Sequence, residues 1–161
     1  MLEWTEVTVV DGVELRLVAS ASGMRAVEFD RRPVTEGQRN DRNPLLLEAE
    51  RQLRAYFAGQ LRDFQLPLDI AGTDFQKRVW DQVAAIPYGK TRSYLQIAVA
   101  IGSPMGVRAV GAANGANPVP IVVPCHRVIG AHGKLVGYGG GLAMKKRLLE
   151  LEGAIALRLA L

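Results

Sequence analysis

Residues 93–115 read SYLQIAVAIGSPMGVRAVGAANG. Ser93 and Gln96 stand three apart, the spacing of a capping box, in which each side chain satisfies the other residue's backbone N–H. Leu95, Ile97, Ala98 and Ile101 then give a short helix its apolar positions, and Gly102 stops it. Ser103-Pro104 predicts the cap of a further helix carrying Val107, Val110 and Ala113 as far as Asn114-Gly115. Two short helices joined by one tight glycine turn have the outline of a helix-turn-helix, and equally that of a plain helical hairpin.

The same logic extends in both directions. Upstream, Thr73 and Gln76 form a second capping-box pair, and Phe75, Val79, Val83 and Ile86 follow at helical intervals until Pro87-Tyr88-Gly89. Downstream, Ile121-Val122-Val123 after Pro118 and Pro120 predicts a short buried strand that delivers Pro124-Cys125-His126-Arg127 to its end. A turn at His132-Gly133, a short strand at Leu135-Val136 and a loop at Gly139-Gly140-Gly141 should follow. The last helix should run from about Leu142 to Glu152, with Leu148, Leu149 and Leu151 facing inward.

The first 71 residues have a different texture. Val7, Val9, Val13, Leu15 and Leu17 alternate with mostly polar neighbours, which is the period of a half-buried strand. Asp11-Gly12 marks a hairpin turn, and Val27 and Phe29 mark a third strand. Asp30 to Asn43 reads as a loop. Asn43-Pro44 caps a helix whose buried face is Leu46, Leu47, Leu53, Tyr56 and Phe57, with Gly59 closing it. Leu66 to Gly72 reads as an extended linker. The expected fold class is α+β: a small N-terminal β-sheet domain with a helix (1–71), then a mainly helical domain (72–161) that holds the helix-turn-helix and the active site.

Charge divides at the same place. Met1 to Gly72 carries nine Arg against twelve Asp or Glu, a balance of −3. Thr73 to Leu161 carries eleven Lys or Arg against four Asp or Glu, a balance of +7. The second part is therefore the candidate surface for a polyanion, or simply a solvated basic face. No run approaches the roughly 20 apolar residues of a membrane span. No basic stretch leads into an apolar one at the start, so the cytoplasm is the expected setting. The tail, Ala154 to Leu161, is apolar and could pack back or fray.

One cysteine among 161 residues excludes an internal disulfide framework, and with two histidines it leaves no basis for a cysteine-rich zinc site. A lone cysteine is either an inert core residue or a reactive one. A thiol reacts as thiolate and so needs a base. His126 is adjacent, and the Arg127 charge would favour the anion. Neighbouring side chains on an extended segment point to opposite sides, so His126 can act only if the chain turns here, or through a bridging water. Glu152 is a candidate to orient the imidazole.

Pro124-Cys125-His126-Arg127-Val128-Ile129-Gly130 resembles the active-site motif of the alkylguanine-DNA alkyltransferases, also called methylated-DNA–protein-cysteine methyltransferases. Five further blocks resemble the family in order: Gly72 to Gln76 with Val79-Trp80, Ile86 to Gly89 with Ser93-Tyr94, Arg108 to Gly111, Asn117-Pro118, and Gly137 to Gly141. The resemblance covers about Gly72 to Gly153. It implies a DNA repair enzyme that acts once, taking an alkyl group from O6-alkylguanine or O4-alkylthymine in double-stranded DNA after base flipping. Cys125 would accept the alkyl group, His126 would take the thiol proton through a water, Glu152 would hold His126, and Asn117 would brace the site. Tyr94 would help rotate the nucleotide out and meet the base. Arg108 would fill the gap in the stack, with Ser93, Gly106, Ala109 and Gly111 also at the DNA. Val128, Tyr138 and Gly139 would line the base pocket.

The resemblance implies no cofactor, no metal and no membrane, and a monomer in solution with cooperative assembly on DNA left open. Some relatives hold zinc in the N-terminal domain, for which this chain lacks cysteines. Gly106 stands where the family often has Ala, and Asn114 where some relatives have an apolar residue near the base. Gly139 leaves room for adducts bulkier than methyl. Two rivals remain: a DNA lesion-binding or regulatory helix-turn-helix protein without chemistry, and a Cys-His-Glu hydrolase. Relatives of the first kind have replaced the cysteine that is present here, and an adjacent Cys-His pair suits the second poorly.

Overall fold

The computed structural model describes residues 1–29 and 32–156. Asp30 and Arg31 in the expected loop, and residues 157–161 of the tail, lie outside the described residues. Among the described residues the chain forms two compact units: residues 1–71 with 118–120, and residues 72–117 with 121–156.

The first unit is a four-stranded sheet in the order β3-β2-β1-β4. Strands β1 (Glu3–Val10) and β2 (Val13–Ala19) pair antiparallel around the Asp11-Gly12 turn, where Gly12 takes φ 78°. Strand β3 (Met24–Glu28) extends the sheet on the β2 side. The short β4 (Gln38–Arg39), inside the expected loop, runs parallel to β1. Alternation sends Val7, Val9, Leu15 and Leu17 to one face, all buried. Helix α1 (Pro44–Phe57) covers β1 and β2 with Leu46, Ala49, Leu53 and Tyr56. The Asn43 side chain accepts from Leu45 N and Leu46 N, at 2.9 and 3.1 Å, and so starts the helix where expected. Leu47, expected inward, is 50% exposed, because the buried row is 46, 49, 53, 56 and position 47 falls outside it. On the opposite sheet face the Arg16 and Arg39 guanidinium groups lie 5.3 and 5.5 Å from the Trp4 ring centroid.

The second unit is mainly helical. Helix α2 (Asp74–Ala84) opens on a complete capping box: Gln76 N donates to Thr73 Oγ1 at 3.1 Å and Thr73 N donates to Gln76 Oε1 at 2.9 Å. Replacing Thr73 by Ala removes the first of these bonds and should lower unfolding stability by about 1 kcal/mol, readable from a denaturant midpoint. Trp80, on the buried side of α2, donates from Nε1 to Ala113 O at 2.8 Å. Gly72 is required beneath that ring, since a Cβ there would lie 2.5 Å from two of its carbons.

Helix α3 (Tyr94–Ala100) opens on the Ser93–Gln96 box, as read from the sequence. It packs with helix α4 (Val107–Gly115) and both pack against α2. Leu95, expected in the apolar face of α3, is 53% exposed; Ile97, Ala98 and Ile101 form the buried row. The expected cap at Ser103-Pro104 is also corrected. Residues 103–106 make a reverse turn closed by Gly106 N donating to Ser103 O at 2.8 Å, and α4 starts after it with Gly106 as the capping residue. Ser, Pro and Gly occupy the turn positions that favour them.

Residues 121–123 are not the expected strand. Pro118 and Pro120 lack the N–H that a ladder needs, and Ile121 takes φ 74°, so the run is a turn. A two-residue parallel pair takes its place, β5 (Arg92–Ser93) with β6 (Val128–Ile129). Leu135-Val136 forms no strand either, because the Val136 carbonyl is engaged by the side chains of Tyr94 and Lys145. Helix α5 (Leu142–Leu151) ends with Glu152 as its capping residue. The architecture matches the expected class: an N-terminal sheet with one helix, then a mainly helical part. No helix among the described residues is long and apolar enough to cross a membrane.

Candidate active site

Residues Cys125–Arg127 form one turn of 3-10 helix, not the end of a strand. The turn is held by Arg127 N donating to Pro124 O at 2.9 Å. It removes the obstacle of opposed side chains, because the chain does bend at this point. Cys125 is 6% exposed and His126 is fully buried.

His126 Nε2 lies 2.8 Å from Glu152 Oε2. Glu152 is also clamped by Arg127, whose Nε donates to Oε1 at 2.8 Å and whose Nη2 donates to Oε2 at 3.0 Å. Arg127 Nη1 donates to Ile86 O at 2.7 Å, and its guanidinium stands 5.7 Å from the Tyr88 ring centroid. A carboxylate so paired is an acceptor, so the imidazole proton is assigned to Nε2 and the lone pair to Nδ1. Nδ1 is buried and has no hydrogen-bond partner among the described residues. Arg127, expected to favour the thiolate directly, serves Glu152 instead.

The cation that acts on the sulfur is Lys145, which the sequence reading did not single out. It is fully buried on α5 and donates from Nζ to Val128 O at 2.6 Å, Val136 O at 3.0 Å and Gly137 O at 3.3 Å. Its register gave a signal: Lys145 precedes Leu148 and Leu149 by three and four residues, in the apolar row of α5. Burial drives its pKa down to about 8, against the pull of Cys125. Burial likewise pushes the Cys125 thiol up to about 11, with the Asn117 side chain and the Lys145 charge opposing the rise. Burial lowers the pKa of His126, opposed by Glu152. At neutral pH the resting pair is therefore a protonated thiol beside a neutral imidazole.

Asn117 and Asn114 bracket the turn. Asn117 Nδ2 donates to Val123 O at 2.8 Å, and Asn114 Nδ2 donates to Cys125 O at 3.2 Å. Tyr94 is half-buried and its hydroxyl donates to Val136 O at 3.0 Å; burial raises its pKa. Tyr138 stands edge-on to His126 with ring centroids 6.4 Å apart. Val128 is fully buried, and Gly139 has open space where a Cβ would sit.

Cys125, His126, Glu152 and Asn117 are thus gathered into one buried cluster, with Val128, Tyr94 and Tyr138 beside it. Arg108 and Ala109 are set apart on the exposed side of α4. Ser93 commits its hydroxyl to capping α3, Gly106 caps α4, and Gly111 faces Tyr94, whose ring would lie 3.9 Å from a Cβ there. No group of three or more His, Cys, Asp or Glu among the described residues could hold a metal ion.

Comparison with known proteins gives two family matches. The 6-O-methylguanine DNA methyltransferase DNA binding domain matches residues 74–154, and the ribonuclease-like domain of the same family matches residues 14–70. A methylated-DNA–protein-cysteine methyltransferase of Mycobacterium tuberculosis is 64% identical over 101 residues, 63% of this chain and 61% of the relative. The matched stretch thus spans somewhat under two thirds of that relative's length. The constitutive methylated-DNA–protein-cysteine methyltransferase of Bacillus subtilis is 48% identical over 124 residues, 76% of this chain and 75% of the relative. The crystal structure of Mycobacterium tuberculosis O6-methylguanine methyltransferase superposes with a TM-score of 0.87 at 45% identity, covering 98% of this chain and 96% of that one. The mycobacterial protein in complex with DNA superposes at 0.84 and 46% identity, covering 94% and 92%.

Proposed function

Because this chain belongs to the O6-methylguanine DNA methyltransferase family, we propose that it repairs alkylated DNA by moving the alkyl group from O6 of guanine, or O4 of thymine, onto Cys125. The observation that carries this reading is the buried His126, next to Cys125 in the chain, whose Nε2 is fixed by Glu152 while Nδ1 has no partner among the described residues. A water between Sγ and Nδ1 passes the thiol proton to His126. Sulfur attacks the alkyl carbon, the carbon–oxygen bond breaks, and the electron pair leaves on the base, which takes up a proton. A thioether has no easy route to hydrolysis, so each molecule acts once.

The target atom lies inside a duplex, so the base must be extruded, at a cost of a few kcal/mol. Arg108 on the exposed side of α4 fills the vacated space, and Ala109 lets the helix approach a narrow groove. Tyr94 meets the flipped base, and Val128, Tyr138 and Gly139 wall its pocket. The +7 balance from Thr73 onward supplies sequence-independent attraction to phosphates. The cytoplasm is the setting this reading assigns. A lesion sensor without chemistry is the weaker reading, because it gives the cysteine, its base and the base's carboxylate no task.

Single-turnover reaction with a duplex carrying one O6-methylguanine, followed by peptide mass analysis, tests the proposal. One methyl on the Cys125 peptide, restored guanine and no second turnover are expected. Tight binding with unmodified Cys125 would make the protein a sensor. Arg108→Ala should slow transfer from duplex DNA by about 10- to 100-fold, the loss of ~1.4–2.8 kcal/mol. Reaction with the free base O6-benzylguanine, which needs no extrusion, should not change. An equal loss on both substrates would remove Arg108 from the flipping step.

A further inference from the structure

The Asn114 side chain has no task in the reading above, yet it is 5% exposed and touches the reactive turn. Its orientation is fixed by chemistry. Cys125 O can only accept, so the end of the amide that reaches it at 3.2 Å is Nδ2. Oδ1 therefore points elsewhere, and it is buried with no hydrogen-bond partner among the described residues. A buried acceptor without a donor is costly, and one placed at a binding site is a vacancy for a ligand's N–H.

The neighbours of Asn114 place its amide beside the reactive turn and Tyr94. Its side chain acts on the Tyr94 hydroxyl, opposing the effect of burial there, so the two groups approach each other. Tyr94 OH is committed to Val136 O. Cys125 is itself 6% exposed, so a base that reaches Sγ must displace part of its cover. Because the Asn114 amide bonds the carbonyl of Cys125, a base at Sγ comes within its reach.

Only certain bases can supply the missing donor. Alkylation at O6 removes the N1 proton of guanine and leaves N1 and N3 as acceptors, so the N–H donor on the ring edge is the 2-amino group. O4-alkylthymine has lost its N3 proton and offers no N–H at all. We propose that Asn114 Oδ1 accepts a hydrogen bond from the 2-amino group of the flipped guanine and so sets a preference for alkylguanine over alkylthymine. This assignment rests on the repair reading given above. It makes Asn114 a specificity-determining residue in contact with the substrate.

The test compares single-turnover transfer from duplexes carrying O6-methylguanine or O6-methylhypoxanthine, which differ only in the 2-amino group. Wild-type protein should prefer the amine-bearing base. In Asn114→Leu the ratio of the two rates should contract by about tenfold, the scale of one hydrogen bond lost from a buried site. Asn114→Asp keeps an acceptor but loses the donor to Cys125 O, so both rates should fall while the ratio holds or enlarges, and it carries the test if the Leu variant does not fold. An unchanged ratio in Asn114→Leu, with both rates falling together, would make Asn114 a brace for the turn and overturn the assignment. A contracted ratio in folded Asn114→Asp would overturn it too. No transfer from either duplex by wild-type protein would sink the repair reading, and this one with it.

Discussion

Cys125→Ser is expected to abolish alkyl transfer, by a factor on the order of 10⁶ as for other deleted nucleophiles, while binding to duplex DNA persists. The thiol already sits at a disadvantage, with a pKa pushed up to about 11 by burial. It remains usable because His126 can accept its proton and because thiolate is intrinsically very nucleophilic. A serine hydroxyl in the same cover is harder to ionise and a poorer nucleophile once ionised, so the same base cannot rescue it. Binding should survive because Arg108 and Ala109 lie on the exposed side of α4, away from the buried cluster. The check pairs a gel-shift titration with single-turnover transfer. Residual transfer at even a hundredth of the wild-type rate would place the acceptor on another residue.

Glu152→Gln is expected to damage both chemistry and stability. The carboxylate receives one bond from His126 and two from Arg127. An amide of the same shape leaves the Arg127 guanidinium buried without its counter-charge, which typically costs about 3–5 kcal/mol. Transfer should slow by roughly 10²–10⁴, the usual contribution of a positioned general base. The pH profile separates the two losses. Glu152 holds the His126 pKa up against burial, so its removal lowers that pKa further and moves the acid limb of the rate profile to lower pH. A variant that melts early but keeps the wild-type acid limb would show that Glu152 braces the fold without tuning the base.

The parts of this structure that were legible in the sequence are those decided within a few residues. Each capping box joins a side chain to a backbone N–H three positions away, so Thr73–Gln76 and Ser93–Gln96 could be read directly. The Asp11-Gly12 turn was equally local. Errors arose where a local pattern had two solutions. Leu47 and Leu95 fit helical spacing but stand beside the buried row, and only the packing partner decides which row that is. Ile121-Val122-Val123 has the composition of a strand, and the flanking prolines deny it a ladder. Lys145 was not singled out, since the three carbonyls that hold its buried ammonium converge only in the fold. The proximity of Glu152 to His126 could not come from spacing: the need of a base for an orienting partner made Glu152 a candidate, and the resemblance gave it that role.

Glu152 stands 26 positions beyond His126, whereas α2, α3 and α4 with their caps are complete by residue 116. A ribosome releases the chain in that order. The carboxylate is therefore the last member of the cluster to join the chain, and the orientation of the His126 ring is fixed by a contact across the fold and not by its sequence neighbours.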